Sequence, residues 1–280
     1  MDALDLGVPF TPAGAARAGL GRSALDRMVR IGAVTRLVRG VYVASSAELT
    51  PVVRAEAVAL VSSRRHLVVG RTAAWVHGAP ALRARPHDPV PLDLDGRRRY
   101  PGAKVPLRPD EVTELGGLRL TSPLRTAYDV ARQLAPERAL PLLDGLLRVG
   151  ALTHAELIAR TAEGPEVAGG AQARELAAIA DGRAAGIEES VLRLHWLHAR
   201  LPTPTPGWRV AGVRCALALP VHRFGVVLAG QTSAQDVARC QHVGWQLLAI
   251  GPERIRSSDP SAAAGHLVRA FHGHLLSQMR

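Results

Sequence analysis

The residues best placed to do chemistry in this sequence are arginines. Arg22, Arg27 and Arg30 punctuate a short helix-patterned segment, and Arg36 and Arg39 follow on a β-branched stretch. A guanidinium is planar and permanently charged, and its fork of N–H groups fits phosphate oxygens or the O6/N7 edge of guanine. Ser23, lying among them, can cap a helix and can donate to a phosphate. The bland alternative is a solvated helix face in an arginine-rich proteome, since Lys104 is the only lysine and a GC-rich genome favours Arg codons. The formal charge of +11 attracts polyanions under either reading, because neutralised phosphates release their condensed counterions.

The other reactive side chains lie in the last third. His195, His198, His222, His242, His266, His272 and His274 fall there, with Cys215 and Cys240. Zinc needs four converging N or S ligands, and no Cys-x-x-Cys spacing is present. Core cysteines and surface histidines are therefore expected, with no metal and no cofactor. From Val191 to Arg280 the acids are Asp236, Glu253 and Asp259 alone, and Asp236 and Asp259 stand at expected helix starts. Two cysteines are too few for a disulfide framework and suit a reducing cytoplasm. Asp2 and Asp5 do not fit a signal peptide, and no apolar run approaches the ~18 residues of a membrane span.

These residues must be positioned by elements that the sequence also marks. Hydrophobic residues are 47% of the chain but aromatics only 4%, so the core is built from Leu, Val and Ala. Thr11-Pro12 opens a helix, Gly19 turns the chain, and Ser23 with Asp26 is expected to cap a second helix whose apolar face is Leu25, Met28 and Val29. Val34 to Val43 reads as a hairpin around Arg39-Gly40. A middle region, 48–165, carries helices at Pro51–Ser62, from Thr72 as cap to Gly78, from Ser122-Pro123 to Leu134, and two more to Thr161. Short strands are expected at Leu67–Val69, Val90–Leu94 and Leu118–Leu120. Arg125 and Asp129, four apart on one helix, can pair for a few tenths of a kcal/mol, and His77 suits a helix C-terminus. Glu163 to Gly170 is Gly/Pro-rich and is expected as a linker. The last region, 171–280, reads α-β-β-β-α-β-α. Its first helices are at about Ala171–Ala180 and Ile187–Ala199 and its strands at Trp208–Val210, Val213–Leu219, Arg223–Leu228 and Trp245–Ile250. A Ser233/Asp236-capped helix and one opened by Asp259-Pro260 complete it.

The run Ala33 to Val43, following a short basic helix, resembles the winged-helix N-terminus of AbiEi-type antitoxins. Thr72 to Gly78 and Gly117 to Asp129 resemble the segment that follows it. The third region resembles a very-short-patch-repair-like nuclease domain. The resemblance implies an α+β chain: an N-terminal winged helix-turn-helix at 1–47, a mixed α/β middle domain at 48–165, and an αβββαβα restriction-endonuclease-like domain at 171–280. It implies Arg22, Ser23, Arg27 and Arg30 on the groove-facing helix, with Arg36 and Arg39 on the wing.

A nuclease of that pattern holds Mg²⁺ through an Asp in its second strand and a Glu-x-Asp ending the third. Here Ala216 falls on the first position and Val227 and Ala229 on the pair. Only the helical acids remain, as Glu188 and Glu189. The expectation is a cytoplasmic DNA-binding regulator or antitoxin-like autorepressor whose nuclease-like domain is inactive. Double-stranded DNA and a cognate toxin are its expected partners, a homodimer is compatible, and no membrane is involved. The alternatives are a metal-dependent endonuclease using displaced acids, and a non-catalytic DNA-repair or phage-defence accessory.

Overall fold

A computed structural model describes residues 5–63, 65–83, 85, 87–95, 105–163, 167–256 and 260–278. Thr11 accepts from the Gly14 N–H and Pro12 takes the first helical position, which starts α1 (Pro12–Arg17). Gly19, at φ 86°, ends the helix, and the Leu20 N–H reaches back to the Ala15 carbonyl. That left-handed turn favours glycine. The second helix, α2 (Arg22–Arg30), is capped by Gly21, so the expected Ser23–Asp26 cap does not form. Gly21 is extended and its carbonyl already accepts from Ala24 and Leu25, which leaves Ser23 exposed inside the first turn. Leu25, Met28 and Val29 pack on Phe10, Ala15, Val34 and Tyr42. Strands β1 (Val34–Arg36) and β2 (Tyr42–Ala44) pair antiparallel with Val34 opposite Ala44, and Phe10 bridges to Tyr42 on the other edge of β2.

The far end of this hairpin is not free. Leu37, Val38, Val41 and Val43 are wholly buried and share one core with Ala55, Val58, Val68, Trp75, Val90 and Leu120 of the middle region. The Val90 N–H donates to the Leu37 carbonyl at 2.8 Å. The middle region thus clamps the hairpin.

Thr50 caps α3 (Pro51–Ala59). Helix α4 (Gly70–Val76) starts before Thr72, which is not its cap. The Thr72 hydroxyl instead donates to the Pro91 carbonyl and accepts from the Asp93 N–H, each at 2.7 Å, and ties a loop down. The expected strands near 68 and 90–94 are reduced to single bridges, Val68 to Leu94 and to Leu120, and Val38 to Val90. Strands β3 (Val112–Leu115) and β4 (Leu118–Thr121) form a hairpin, of which only β4 is expected from sequence. Ser122 caps α5 (Pro123–Gln133) as expected, and α6 (Pro136–Arg148), α7 (His154–Ala162) and α8 (Gly170–Ile179) follow. These four helices share a core including Ala127, Leu140, Leu143, Leu157 and Leu176. The expected linker, of which 164–166 lie outside the described residues, therefore joins two helices of one layer.

Arg125 is at the centre of a buried ionic network. It bonds Asp129 through Nε at 2.7 Å and Glu111 through Nη1 at 2.6 Å, and Arg160 also bonds Glu111 at 3.0 Å. Arg160 lies 3.9 Å from the Tyr128 ring centroid. Burial would push the Glu111 carboxyl up, but the Arg108 N–H and the Arg125 and Arg160 guanidinium groups outweigh it and hold the pKa below the usual range. A depressed folded pKa stabilises above the unfolded value, about 4.3, and the contribution is lost as pH falls through the folded one. Urea unfolding between pH 6 and 3 should therefore show stability falling steeply, and more steeply than in a Glu111→Gln variant. Equal slopes would contradict this role.

The third region opens with α9 (Ile187–His198), followed by β5 (Thr205–Pro206), β6 (Arg209–Val210), β7 (Val213–Arg214), β8 (Leu217–Leu219), β9 (Phe224–Leu228), α10 (Ala234–His242), β10 (Gln246–Ile250), α11 (Pro252–Ile255) and α12 (Pro260–Gln278). A mixed four-stranded sheet has the order β10-β9-β8-β5, with β9 and β10 parallel and the other pairs antiparallel. The expected strand Val213–Leu219 is broken in two, and β6 and β7 form a separate hairpin. Ala211 and Gly212, at φ 46° and 81°, make the two-residue turn that pairs them. Along β9, Phe224, Val226 and Leu228 face the α9/α12 side with Trp196 and Phe271, and Val227 faces Cys215 and Cys240 on the other. A Cβ on Gly225 would come within 2.8 Å of Cys215 Sγ and Leu247 Cδ2, so a larger residue there would force those side chains to shift. Ser233 and Asp236 form the expected capping box on α10. Asp259, expected to cap α12, lies outside the described residues.

Candidate nucleic-acid interface

At 3.6 residues per turn, Arg22, Asp26, Arg30, Ser23 and Arg27 fall within an arc of roughly 140° on α2. All five are exposed, and the opposite arc is the apolar face packed on α1 and β1. Among the described residues no ion pair engages Arg22, Arg27, Arg30 or Arg39. Arg39 is exposed at the first corner of the turn Val38–Val41, which Gly40 at φ 83° makes type II. The clamped hairpin fixes where that corner stands. Arg36 differs from the others. It is half-buried, its Nη2 donates to the Tyr42 hydroxyl at 2.9 Å, and its guanidinium lies 5.2 Å from the Tyr42 ring centroid. It is engaged within the hairpin, beside the exposed set.

Exposed arginines also occur elsewhere, Arg17, Arg119, Arg138, Arg174, Arg200, Arg223 and Arg269 among them, whereas Arg71, Arg125 and Arg193 are buried and paired. Arg71 is bidentate on Asp93 at 2.8 and 2.7 Å, and Arg193 bonds both oxygens of Asp144. Arg125 and Asp129 do pair, as expected, but in a buried network rather than on a helix surface. His77 bonds the Thr121 carbonyl at 2.8 Å from a helix end, and burial lowers its pKa.

The positions singled out in the third region meet in part. Strand β8 begins where β9 ends, with Leu217 opposite Val226, so Ala216 and Ala229 lie at the same end of the sheet. The Ala216 N–H bonds the Val226 carbonyl and the Ala229 N–H bonds the Ile250 carbonyl. Ala216 lines a cleft of about 260 Å³ with Glu189, Arg209, Arg214, Leu228 and Asp236. Val227 is buried toward α10, and Ala229 is exposed beyond the strand. Glu189 is buried with both oxygens on the Arg214 guanidinium, and it also accepts from the Ala185 N–H at 2.8 Å. Glu188 turns away, 3.7 Å from Arg256. Asp236 caps α10 and bonds Arg239. The cleft's two carboxylates are therefore both engaged by protein cations or donors.

Arg214 was not among the residues that sequence reasoning singled out. An arginine between Val213 and Cys215 in an apolar run was the available signal, since such a residue needs a carboxylate partner. His195 bonds the Ile255 carbonyl in the core, and Cys215 and Cys240 are buried together. Burial pushes the Cys215 thiol up to about 11, far from the thiolate that ligation or nucleophilic attack needs. Among the described residues no three His, Cys, Asp or Glu side chains converge as metal ligands. Among the same residues no helix is long and apolar enough to cross a membrane.

Residues 3–45 match the family described as transcriptional regulator, AbiEi antitoxin. Two proteins of Mycobacterium tuberculosis are each 32% identical over 203 residues, covering 68% of this chain and 70% of theirs. Their titles are uncharacterized protein MT2308, from strain CDC 1551 / Oshkosh, and uncharacterized protein Rv2248, from strain ATCC 25618 / H37Rv. No solved structure is significantly similar to the chain.

Proposed function

From the premise that the chain belongs to the family of these two mycobacterial proteins and carries an AbiEi-antitoxin-type regulator segment at residues 3–45, we propose that it is a sequence-specific DNA-binding regulator of the cytoplasm. In this reading it acts as an antitoxin-like autorepressor, with double-stranded DNA and a cognate toxin as partners. The observation that carries the proposal is the exposed arc of α2, where Arg22, Arg27 and Arg30 share one face of the second helix and enter no ion pair among the described residues. Helix α2 follows α1 through a Gly-containing four-residue turn, the arrangement in which the second helix of a helix-turn-helix enters the major groove. Arg39 stands where a wing meets the backbone.

The third region is, in the same reading, a nuclease-like domain without nuclease chemistry. The family match ends at residue 45, so this part rests on the residues. A hard divalent ion needs carboxylate oxygens free to replace its water. In the cleft the counterpart of one acid is Ala216, and Glu189 is already held by Arg214, a tethered cation. One assay tests both halves: full-length protein incubated with its own upstream DNA and Mg²⁺ or Mn²⁺. The expected outcome is a shifted complex containing intact DNA. Metal-dependent cleavage that disappears in a Glu188→Ala or Glu189→Ala variant would overturn the inactive-domain reading.

A further inference from the structure

The mixed sheet of the third region has two edges, β5 and β10, and they differ. Sheet edges are ordinarily blunted by short length, proline, a charge or a bulge. Strand β5 is only two residues long and carries Pro206. Strand β10 pairs with β9 over five residues without a bulge, and residues 243–252 hold no charged side chain in a chain of formal charge +11. In this register Gln246, Leu248 and Ile250 turn their peptide groups toward β9: the Gln246 N–H bonds the Arg223 carbonyl and the Ile250 carbonyl accepts from Ala229. The N–H and C=O groups of Leu247 and Ala249 therefore point outward. Among the described residues no hydrogen bond reaches them. The side chains are also incompletely covered. Every residue of β9 is buried, whereas Leu247 and Leu248 are half-buried and Ala249 is exposed.

A second copy of the chain fits this edge in one register. Antiparallel pairing about a two-fold axis at Leu248 sets Leu247 opposite Ala249 of the partner subunit, and Ala249 opposite Leu247 of the partner subunit. Both are pairs that exchange two N–H···O bonds, so every outward group on both strands is satisfied. Neighbouring registers fail. With the axis at Leu247, Ala249 would face Trp245 of the partner subunit, and the Trp245 N–H is already bonded to the Cys240 carbonyl. With the axis at Ala249, Leu247 would face Gly251 of the partner subunit, and the Gly251 carbonyl already accepts from Arg254 and Ile255 at the start of α11. The edge is thus complementary to itself, and no like charges meet along the seam. We propose that two copies of this chain associate through β10, antiparallel about a two-fold axis at Leu248, which joins their four-stranded sheets into one. This inference does not rest on the DNA-binding reading.

Sedimentation equilibrium of the full chain without DNA, joined to cysteine cross-linking, tests this. A seam of one strand pair is small, so a monomer–dimer equilibrium with a dissociation constant of roughly 1–100 μM is expected. Leu248 meets its own counterpart in the non-hydrogen-bonded position, with Cα atoms about 4.5 Å apart, which is within disulfide reach. Leu248→Cys should therefore give a disulfide-linked dimer under mild oxidation. Gln246→Cys should not, since the two copies of residue 246 stand four residues apart along the seam, about 13 Å. Cys215 and Cys240 are buried and do not interfere. Ala249→Pro removes an outward N–H that bonds nothing within the chain, hence two of the seam's hydrogen bonds, and should raise the dissociation constant at least about tenfold. Thermal unfolding shows whether that variant folds, and if it does not, the two cysteine variants decide. A monomer at every concentration, which is the outcome if a strand of a different protein uses this edge, would overturn the proposal. So would equal cross-linking of Leu248→Cys and Gln246→Cys, or a folded Ala249→Pro variant that dimerises as the parent does.

Discussion

A variant with Arg22, Arg27 and Arg30 all replaced by alanine should bind duplex DNA about a hundredfold more weakly near 0.15 M salt. Each phosphate contact contributes about 0.9 to the slope of log K against log salt, or roughly 0.7 of a decade at 0.15 M relative to 1 M. Three lost contacts make about two decades, and the slope should flatten by about three. The fold should not suffer, since all three side chains are exposed and no ion pair among the described residues uses them. Circular dichroism and thermal unfolding of the variant separate loss of binding from loss of structure. If these arginines are only solvated, affinity and slope stay unchanged.

The second large effect is on stability. Asp93 is wholly buried and holds Arg71 through both oxygens, while its own N–H bonds Thr72. Removing one partner of such a buried pair costs about 3–5 kcal/mol. Asp93→Ala should therefore lower the melting temperature by roughly 6–20 °C, at about 2–4 °C per kcal/mol for a chain of this size class. Replacing both partners, as Arg71→Met with Asp93→Leu, should recover much of the loss, because the two buried charges leave together. Calorimetry on the two variants decides it. A loss under 1 kcal/mol for Asp93→Ala would contradict this role for the pair.

Both effects turn on sorting arginines, which the sequence does only partly. The N-terminal helix and hairpin are legible because capping, turn and periodicity signals agree: Thr11-Pro12, Gly19, the Leu25/Met28/Val29 stripe, and β-branched residues around Arg39-Gly40. The exposed arc of α2 follows from that stripe. What the sequence hides is what covers the hairpin. Leu37, Val38 and Val41 read as ordinary strand residues, and only the packed structure shows that they belong to the core of the following region. Ser23 misleads for a local reason, since a capping residue two positions after an extended glycine competes with that glycine and loses. Thr72 misleads for a tertiary one, its hydroxyl being taken by the 91–93 loop. Arg193 and Arg214 are indistinguishable by composition from the exposed arginines. Their partners, Asp144 and Glu189, are 49 and 25 positions away and are brought in by helix packing.

The measurement that bears most directly on the account is the salt dependence of binding by the unmodified full-length chain. Fluorescence anisotropy with its own upstream region and with an unrelated duplex of equal length, from 50 to 200 mM salt, gives the slope for each. The helix arc, Arg39 and the basic last region together could make on the order of 5–10 phosphate contacts, so slopes of roughly −5 to −9 are expected on both duplexes, with tighter binding to the upstream region. A slope near zero on both would contradict the claim that this protein holds DNA through its arginines.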